Sequence, residues 1–504
     1  MSLPQNVSQT AFDAAVKAWR LAVGPDWVFT EAADVALYRD AYSPFYGEPE
    51  ERVASAAVAP ASLEQVQAVV RAANEHRVPL YPISTGRNLA YGGSAPVHSG
   101  SVVLDLKRMN RVVEVNERNA YALVEPGVSY FDLYNHIQNA KLDVWIDPPD
   151  PGWGSVIGNA LDGGAGWTAA PFRDHFASHC GMEVVLADGE VVRTGMGALP
   201  NSKSWQHNRW GYGPWVDGLF RQSNFGVVTK MGFHLMPRPD AMQISTVTSA
   251  REEDIVPMLD VLNRLENMHQ VNGSTQIFGG ANAPVWSIQV PIYGPEPVVR
   301  AQMDYAKGKF AAIPGVKFTE GELFRTPLSE DALKRVRLVN FGIPNLSTFA
   351  LLGRSPANPE PAGGHIGFSP IVPRTGESLL EFRKYFDEHV TKATAGDDLG
   401  IQGPVYMTCW DRTLVCLIMF PIGRDQARNA RMRSTFERLV KVAADHGWAE
   451  YRAPAAFQDL IAKTYSYNNH SLGRLRETLK DAIDPNGILS AGRYGLWPKH
   501  LRKA

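Results

Sequence analysis

Between residues 53 and 106, short apolar strands and one helix alternate tightly, and the second strand runs straight into a glycine-rich loop. Val53–Val58 has the composition of a strand. Ser62-Leu-Glu-Gln65 has capping-box form, and Val66, Val69, Val70 and Ala73 then line one face of a helix. Val78–Ile83 reads as a buried strand and continues into Ser84-Thr-Gly-Arg-Asn-Leu-Ala-Tyr-Gly-Gly-Ser94. A third strand follows at Ser101–Leu106. Loops of this kind hold phosphate through consecutive backbone N–H groups, and Arg87 adds charge. Neither G-x-G-x-x-G nor G-x-x-x-x-G-K-[ST] occurs, so dinucleotide folds of the Rossmann type and P-loop folds lack their fingerprints.

The rest of the chain extends this pattern. An N-terminal helix is expected from Thr10 as cap to Gly24 as stop, with Phe12, Ala15, Val16, Trp19 and Val23 on its apolar face. Val112–Val115 with Tyr121–Val124, and Met182–Leu186 with Glu190–Arg193 around Asp188-Gly189, read as hairpins. Ser129 caps a helix after Glu125-Pro-Gly127. Pro237-Arg-Pro239 interrupts regular structure and reads as a joint. Beyond it come strands at Gln243–Thr248, Trp286–Ile292, and near 366–371, 405–409 and 414–419, with helices among them; residues 358–364 read as a loop. Two or three domains suit 504 residues of which 44% are apolar. We expect segments at 1–239, 240–449 and 450–504, the last returning to the first.

A formal charge of −2 gives no basic excess for nucleic acid. Three cysteines are too few for a disulfide framework or an iron–sulfur cluster. The N-terminus carries no basic region followed by an apolar run, and the longest apolar run, Leu414–Phe420, is too short to span a bilayer. A cytoplasmic protein with no membrane partner is the expectation. His175 and His179 with Cys180 are spaced like ligands, but no H-E-x-x-H occurs, and no metal is expected.

Four segments follow one another at wide, ordered spacing: Ile83-Ser-Thr-Gly-Arg-Asn88, Glu125-Pro-Gly-Val-Ser129, Pro149-Asp-Pro-Gly-Trp-Gly-Ser-Val-Ile-Gly-Asn159 and Gln222-Ser-Asn-Phe-Gly-Val-Val-Thr-Lys230. Together they resemble the vanillyl-alcohol oxidase and 4-cresol dehydrogenase family of FAD enzymes, nearest its eugenol oxidase branch. The resemblance covers nearly the whole chain and is patchy only from 240 to 446. It implies an α+β fold: an α/β FAD-binding domain and a cap domain with an antiparallel sheet, the substrate lying between them. It assigns FAD to Ser84, Thr85, Gly86, Arg87, Asn88, Pro149, Gly154, Ser155, Gly158, Asn159, Gly226, Val228 and Arg493.

His365, in Gly363-Gly-His-Ile-Gly-Phe-Ser-Pro370, matches the family's histidine that links covalently to FAD; a neutral imidazole is a nucleophile near pH 7. Another branch links through a tyrosine upstream, and residues 341–364 contain none. Tyr91, Tyr451 and Arg452 match the trio that binds the phenol oxygen of the substrate. Ionising a phenol of pKa about 10 near pH 7.5 costs roughly 3.4 kcal/mol. Hydrogen bonds to a charged group return about 1.5–3 kcal/mol each, so three donors suffice. Asp150 matches the acid/base beside the flavin, with Asp147 its local competitor. The implied reaction is oxidation of a para-substituted phenol at the benzylic carbon through a para-quinone methide. Oxygen is the expected acceptor and a homodimer the expected assembly; the alternative passes electrons to a cytochrome or other carrier. The family's Arg-Glu-Met-His-His run is absent, with Tyr406-Met-Thr-Cys-Trp-Asp411 in that region. Departures of this kind fall on the cap and rim and bear on substrate identity.

Overall fold

The computed structural model describes residues 3–280, 285–347, 364–410 and 412–502. The expected loop at 358–363 lies outside them, as does Asp411. The chain forms an α+β fold with a small parallel sheet, a five-stranded antiparallel sheet and a ten-stranded antiparallel sheet.

The first sheet grows from the alternation noted above. Leu80–Ile83 and Ala57–Val58 both run parallel to Val102–Asp105, and Val28–Phe29 adds an antiparallel edge. Only the last two residues of the expected Val53–Val58 strand join the ladder, because Val53 O instead receives Gly100 N at 2.7 Å. Helix Leu63–His76 covers this sheet through Val66, Val69, Val70 and Ala73. Its capping box is half formed. Ser62 Oγ accepts Gln65 N at 3.3 Å, but the Gln65 side chain accepts Ala61 N rather than the cap's own N–H. The first helix, Gln9–Val23, is capped by Ser8 rather than Thr10, since Ser8 Oγ accepts Ala11 N at 3.2 Å; Gly24 ends it with φ +91°. At the other end of the chain, Leu80 N donates to Ile488 O and Ser490 N to Leu80 O. Residues 488–490 therefore lie beside the strand that feeds the glycine-rich loop.

The five-stranded sheet contains both expected hairpins, Val112–Asn116 with Tyr121–Val124 and His179–Val185 with Val191–Arg193, joined by Val227–His234. Helix Tyr130–Asn139 opens on a complete Ser129–Asp132 capping box. After strand Met236–Pro237, pairing with Val144–Trp145, the chain enters the ten-stranded sheet at Ala241. Strand Gly364–Phe368 matters most in that sheet. Ile366 and Phe368 point into the apolar core with Phe382, Phe420 and Phe436. Alternation along the strand sends His365 and Gly367 to the opposite face. No helix among the described residues is long and apolar enough to cross a membrane.

Candidate active site

One cavity of about 320 Å³ lies where the glycine-rich loop, residues 149–167, the 222–228 segment and the ten-stranded sheet meet. Its walls include Ser84, Thr85, Gly86, Arg87, Asn88 and Tyr91; Pro149, Asp150, Gly154, Ser155, Gly158 and Asn159; Val228; and His365, Tyr451, Arg452 and Arg493. Gly226 alone of the expected site residues is absent from the walls. A Cβ there would sit 2.4 Å from Val184 Cγ1, so this glycine permits close packing of the strand behind the cavity.

The loop has the properties an anionic cofactor requires. The backbone N–H groups of Thr85, Gly86, Arg87 and Asn88 meet no protein acceptor among the described residues. Gly86 holds φ +67° where the loop folds back on Ser94, and a Cβ on Gly158 would lie 2.1 Å from Ser84 Oγ, so Gly158 lets the loop and the facing helix Val156–Leu161 come close together. Ser155 starts that helix by accepting Gly158 N at 3.0 Å. Consecutive free N–H groups beside a cationic side chain form a cradle for pyrophosphate. The residues present therefore fit FAD. His365 faces the same cavity from the sheet, its ring 5.4 Å from that of Tyr42.

The end of the cavity beside Asn88 is built around Asp162, a residue sequence reasoning passed over. It is 6% exposed. Its Oδ2 accepts Arg452 Nε at 2.9 Å and Asn88 Nδ2 at 2.8 Å. Its Oδ1 accepts Arg493 Nη2 at 2.7 Å and the Tyr494 hydroxyl at 3.0 Å. Burial pushes the Asp162 carboxyl up, but Arg493 and Arg452 outweigh it and hold it below the usual carboxylate range. Burial also opposes the charge on Arg452; Asp162 and the tyrosines around it more than restore it. Arg452 Nη2 donates to Asn88 Oδ1 at 2.6 Å, and its guanidinium lies 3.9 Å from the centre of the Tyr91 ring. Burial, joined by Tyr91, raises Tyr451 well above its ordinary value. Burial likewise raises Tyr91, with Arg452 opposing. Both phenols are thus neutral donors at pH 7. Two guanidiniums share one carboxylate, which leaves this end of the cavity with one surplus positive charge.

Asp150 and Asp147 part company. Asp150 lines the cavity and accepts the Ser347 hydroxyl at 2.8 Å, while Gly152 N donates to Asn345 O. Asp147 is buried behind the wall, where Oδ1 accepts the N–H groups of Trp167 and Thr168, and Oδ2 meets His175 Nε2 at 3.2 Å. His175 Nδ1 lies 2.5 Å from Asn159 Oδ1, so this buried network ends on a cavity residue. His179 turns to a different carboxylate, Asp217, at 3.0 Å. The two histidines do not converge, and no cluster of metal-ligating side chains occurs among the described residues. Met407, Cys409, Trp167 and Ser274 also line the cavity. Burial raises the Cys409 thiol to about 12, which keeps it neutral.

Residues 54–195 match the family described as an FAD binding domain. The chain is 34% identical to the flavoprotein subunit of 4-cresol dehydrogenase (hydroxylating) from Pseudomonas putida, over 98% of this chain and 97% of that one. A 4-ethylphenol oxidase from Gulosibacter chungangensis, solved as an isoeugenol complex, superposes with a TM-score of 0.88 at 34% identity, covering 99% of this chain and all of that one. A p-cresol methylhydroxylase with bound substrate gives 0.86 at 31% identity over 98% and 99% of the chains. Sequence and fold agree along the full length, and the chain belongs to the vanillyl-alcohol oxidase and p-cresol methylhydroxylase family of FAD-dependent oxidoreductases.

Proposed function

We propose that this enzyme oxidises para-substituted phenols at the benzylic carbon, binding the substrate as a phenolate between Tyr91, Tyr451 and Arg452. The observation that carries this reading is the surplus positive charge at a cavity end walled by two neutral phenols. A phenolate is the small anion such a site complements: Arg452 supplies charge and the tyrosines supply hydrogen bonds worth about 1.5–3 kcal/mol each to a charged acceptor. The relatives support the substrate class, since their own names record 4-cresol, p-cresol and 4-ethylphenol.

FAD, when bound, supplies the hydride acceptor for the benzylic carbon. Thr85–Asn88 would hold its pyrophosphate, with His365 as its covalent attachment. Arg452 fixes the phenolate oxygen, and electron release from that oxygen through the ring makes the para carbon a hydride donor. The product of hydride loss is a para-quinone methide. Asp150, the cavity carboxylate, then takes a proton from the water that adds to the methide carbon. The hydrogen bonds that hold Asp147 behind the wall support giving this role to Asp150. The resemblance further supports oxygen as acceptor and a cytoplasmic homodimer, with FAD-binding segments 1–239 and 450–504 and a cap at 240–449.

The test is anaerobic. A 4-alkylphenol should bleach the flavin, whereas its methyl ether, which cannot ionise, should not. Equal reduction by both would overturn the phenolate reading. Admitting air then separates the acceptors: rapid return of the yellow flavin marks an oxidase, and slow return cured by an added cytochrome marks a dehydrogenase.

A further inference from the structure

Two strained stretches of backbone line the cavity, and one buried lysine grips both. Gln222 and Ser223 each hold φ +60°, and Ser490 holds φ +43°, a region that side chains other than glycine seldom enter. All three face the cavity. Lys480, with no exposed surface, donates from Nζ to Asn224 O and to Leu489 O, both at 2.6 Å. Its third partner is the Asp484 carboxylate at 2.8 Å, so all three ammonium protons are engaged. Asp484 in turn accepts Ile488 N and Leu489 N. Strained residues fixed in this way by their surroundings are characteristic of ligand clamps.

Ser490 carries a second cost. It is 1% exposed. Its N–H donates to Leu80 O at 2.9 Å and its carbonyl accepts Arg493 N at 3.0 Å, so its backbone is fully engaged. Its hydroxyl has no hydrogen-bond partner among the described residues, although the side chain lines the cavity. Ser155, on the same cavity, differs: its Oγ accepts Gly158 N at 3.0 Å and donates to Pro126 O at 2.6 Å. A buried hydroxyl without a partner works against folding, and so does serine in left-handed backbone. Alanine would avoid the first cost, and glycine both. No contact within the protein offsets either, so the offset lies with what fills the cavity.

We infer that Ser490 is a binding residue for FAD: its hydroxyl donates to an oxygen of the cofactor, from a backbone that Lys480 and Leu80 hold in place. Its position suits the cofactor. Ser490 lies beside Leu80, in the strand that runs on into the Thr85–Asn88 cradle, and its carbonyl holds the backbone of Arg493. FAD offers oxygen acceptors along its whole length, in the pyrophosphate, the ribityl chain and the flavin carbonyls, and a serine hydroxyl rotates to suit. Because the left-handed backbone is set by folding, little ordering is left to oppose binding. The assignment needs FAD in the cavity and does not depend on the phenolate reading.

The experiment places Ser490→Ala and Ser490→Gly in a His365→Ala background, where His365 cannot hold the flavin covalently. FAD affinity is read from the rate of flavin release when the loaded full-length protein is diluted, and from titration of the stripped protein, both by flavin fluorescence. Ser490→Ala should weaken FAD by about five- to tenfold, the size of one lost hydrogen bond. Ser490→Gly should weaken it at least as much, since its backbone is no longer pre-set. Neither stripped variant should melt lower than its parent, because the hydroxyl has no protein partner to lose. Weaker cofactor binding with undiminished stability separates a binding role from a structural one. The assignment is overturned if release and affinity match the parent, the result expected were an ordered water the only partner of the hydroxyl. It is equally overturned if stripped Ser490→Ala melts several degrees below its parent, since the hydroxyl then serves the fold.

Discussion

Replacing Asp162 by asparagine keeps the shape of the anchor and removes its charge. In the native site Asp162 accepts from two guanidiniums, one amide and one phenol, at 2.7–3.0 Å. Bonds to the two charged donors are worth about 1.5–3 kcal/mol each. An amide offers one oxygen, so one guanidinium loses its acceptor and faces an NH₂ group, while the other keeps a weaker neutral bond. Breaking a buried ion pair by removing one partner costs about 3–5 kcal/mol, in line with that count. We expect the Asp162→Asn holoenzyme to unfold several degrees earlier when followed by flavin fluorescence. In an Arg452→Ala background the same change should cost less, by about the 1.5–3 kcal/mol of the bond already absent. The pH dependence follows from the lowered carboxyl pKa. Its stabilisation is complete above the unfolded value of about 3.9 and is lost only as pH falls through the lower folded value. The gap between wild type and variant should therefore stay flat from neutral pH down to about pH 5 and close only in stronger acid. A variant as stable as wild type at pH 7, or a gap that closes near pH 6, would refute the anchoring role.

Four further outcomes are expected. Acid-precipitated wild type should keep its flavin in the denatured band, and His365→Ala should release it; complete release from fully loaded wild type would remove the covalent assignment. Asp150→Ala should fold and lose at least about tenfold in turnover of substrates that take up water, the lower end of general-base assistance. Asp147→Ala should act on stability instead, by roughly 1–3 kcal/mol for each backbone donor it strands, with turnover per folded enzyme nearly unchanged. Arg452→Ala should slow flavin reduction by phenols far more than it lowers flavin content, measured by stopped flow on equally loaded protein.

The readability of this molecule from sequence follows the range of its interactions. Helices and hairpins came through because their signals are local: the apolar face of Leu63–His76, the Asp188-Gly189 turn, the capping box at Ser129. Even local chemistry has slack, as the displaced cap at Ser8 and the half-formed box at Ser62 illustrate. Most cavity residues were legible too, since they sit in glycine-bearing segments whose order along the chain is distinctive. What could not be read was partnership. Nothing near Asp162 in sequence marks it as the shared acceptor of Arg452 and Arg493, which lie 290 and 331 residues away. The signal that could have located it is weak: two arginines, one assigned to the phenol and one to FAD, call for a buried carboxylate, and Asp162 stands three residues past Asn159.

Glu450 makes the same point in reverse. In the sequence it is one acid in an Ala-Glu-Tyr-Arg run, directly before the Tyr451 and Arg452 of the phenol trio. In the fold, the strand ends at Glu450, Arg452 lies beyond it, and the two side chains take separate partners. Arg452 goes to Asp162 and Glu450 is left with Ser369. The chain beyond the strand Ala449–Glu450 carries Arg452 to Asp162, while Glu450 stays with Ser369. Charge at this site is a property of topology, and residue composition alone, with equal numbers of acids and arginines in the immediate cluster, would have read it as zero.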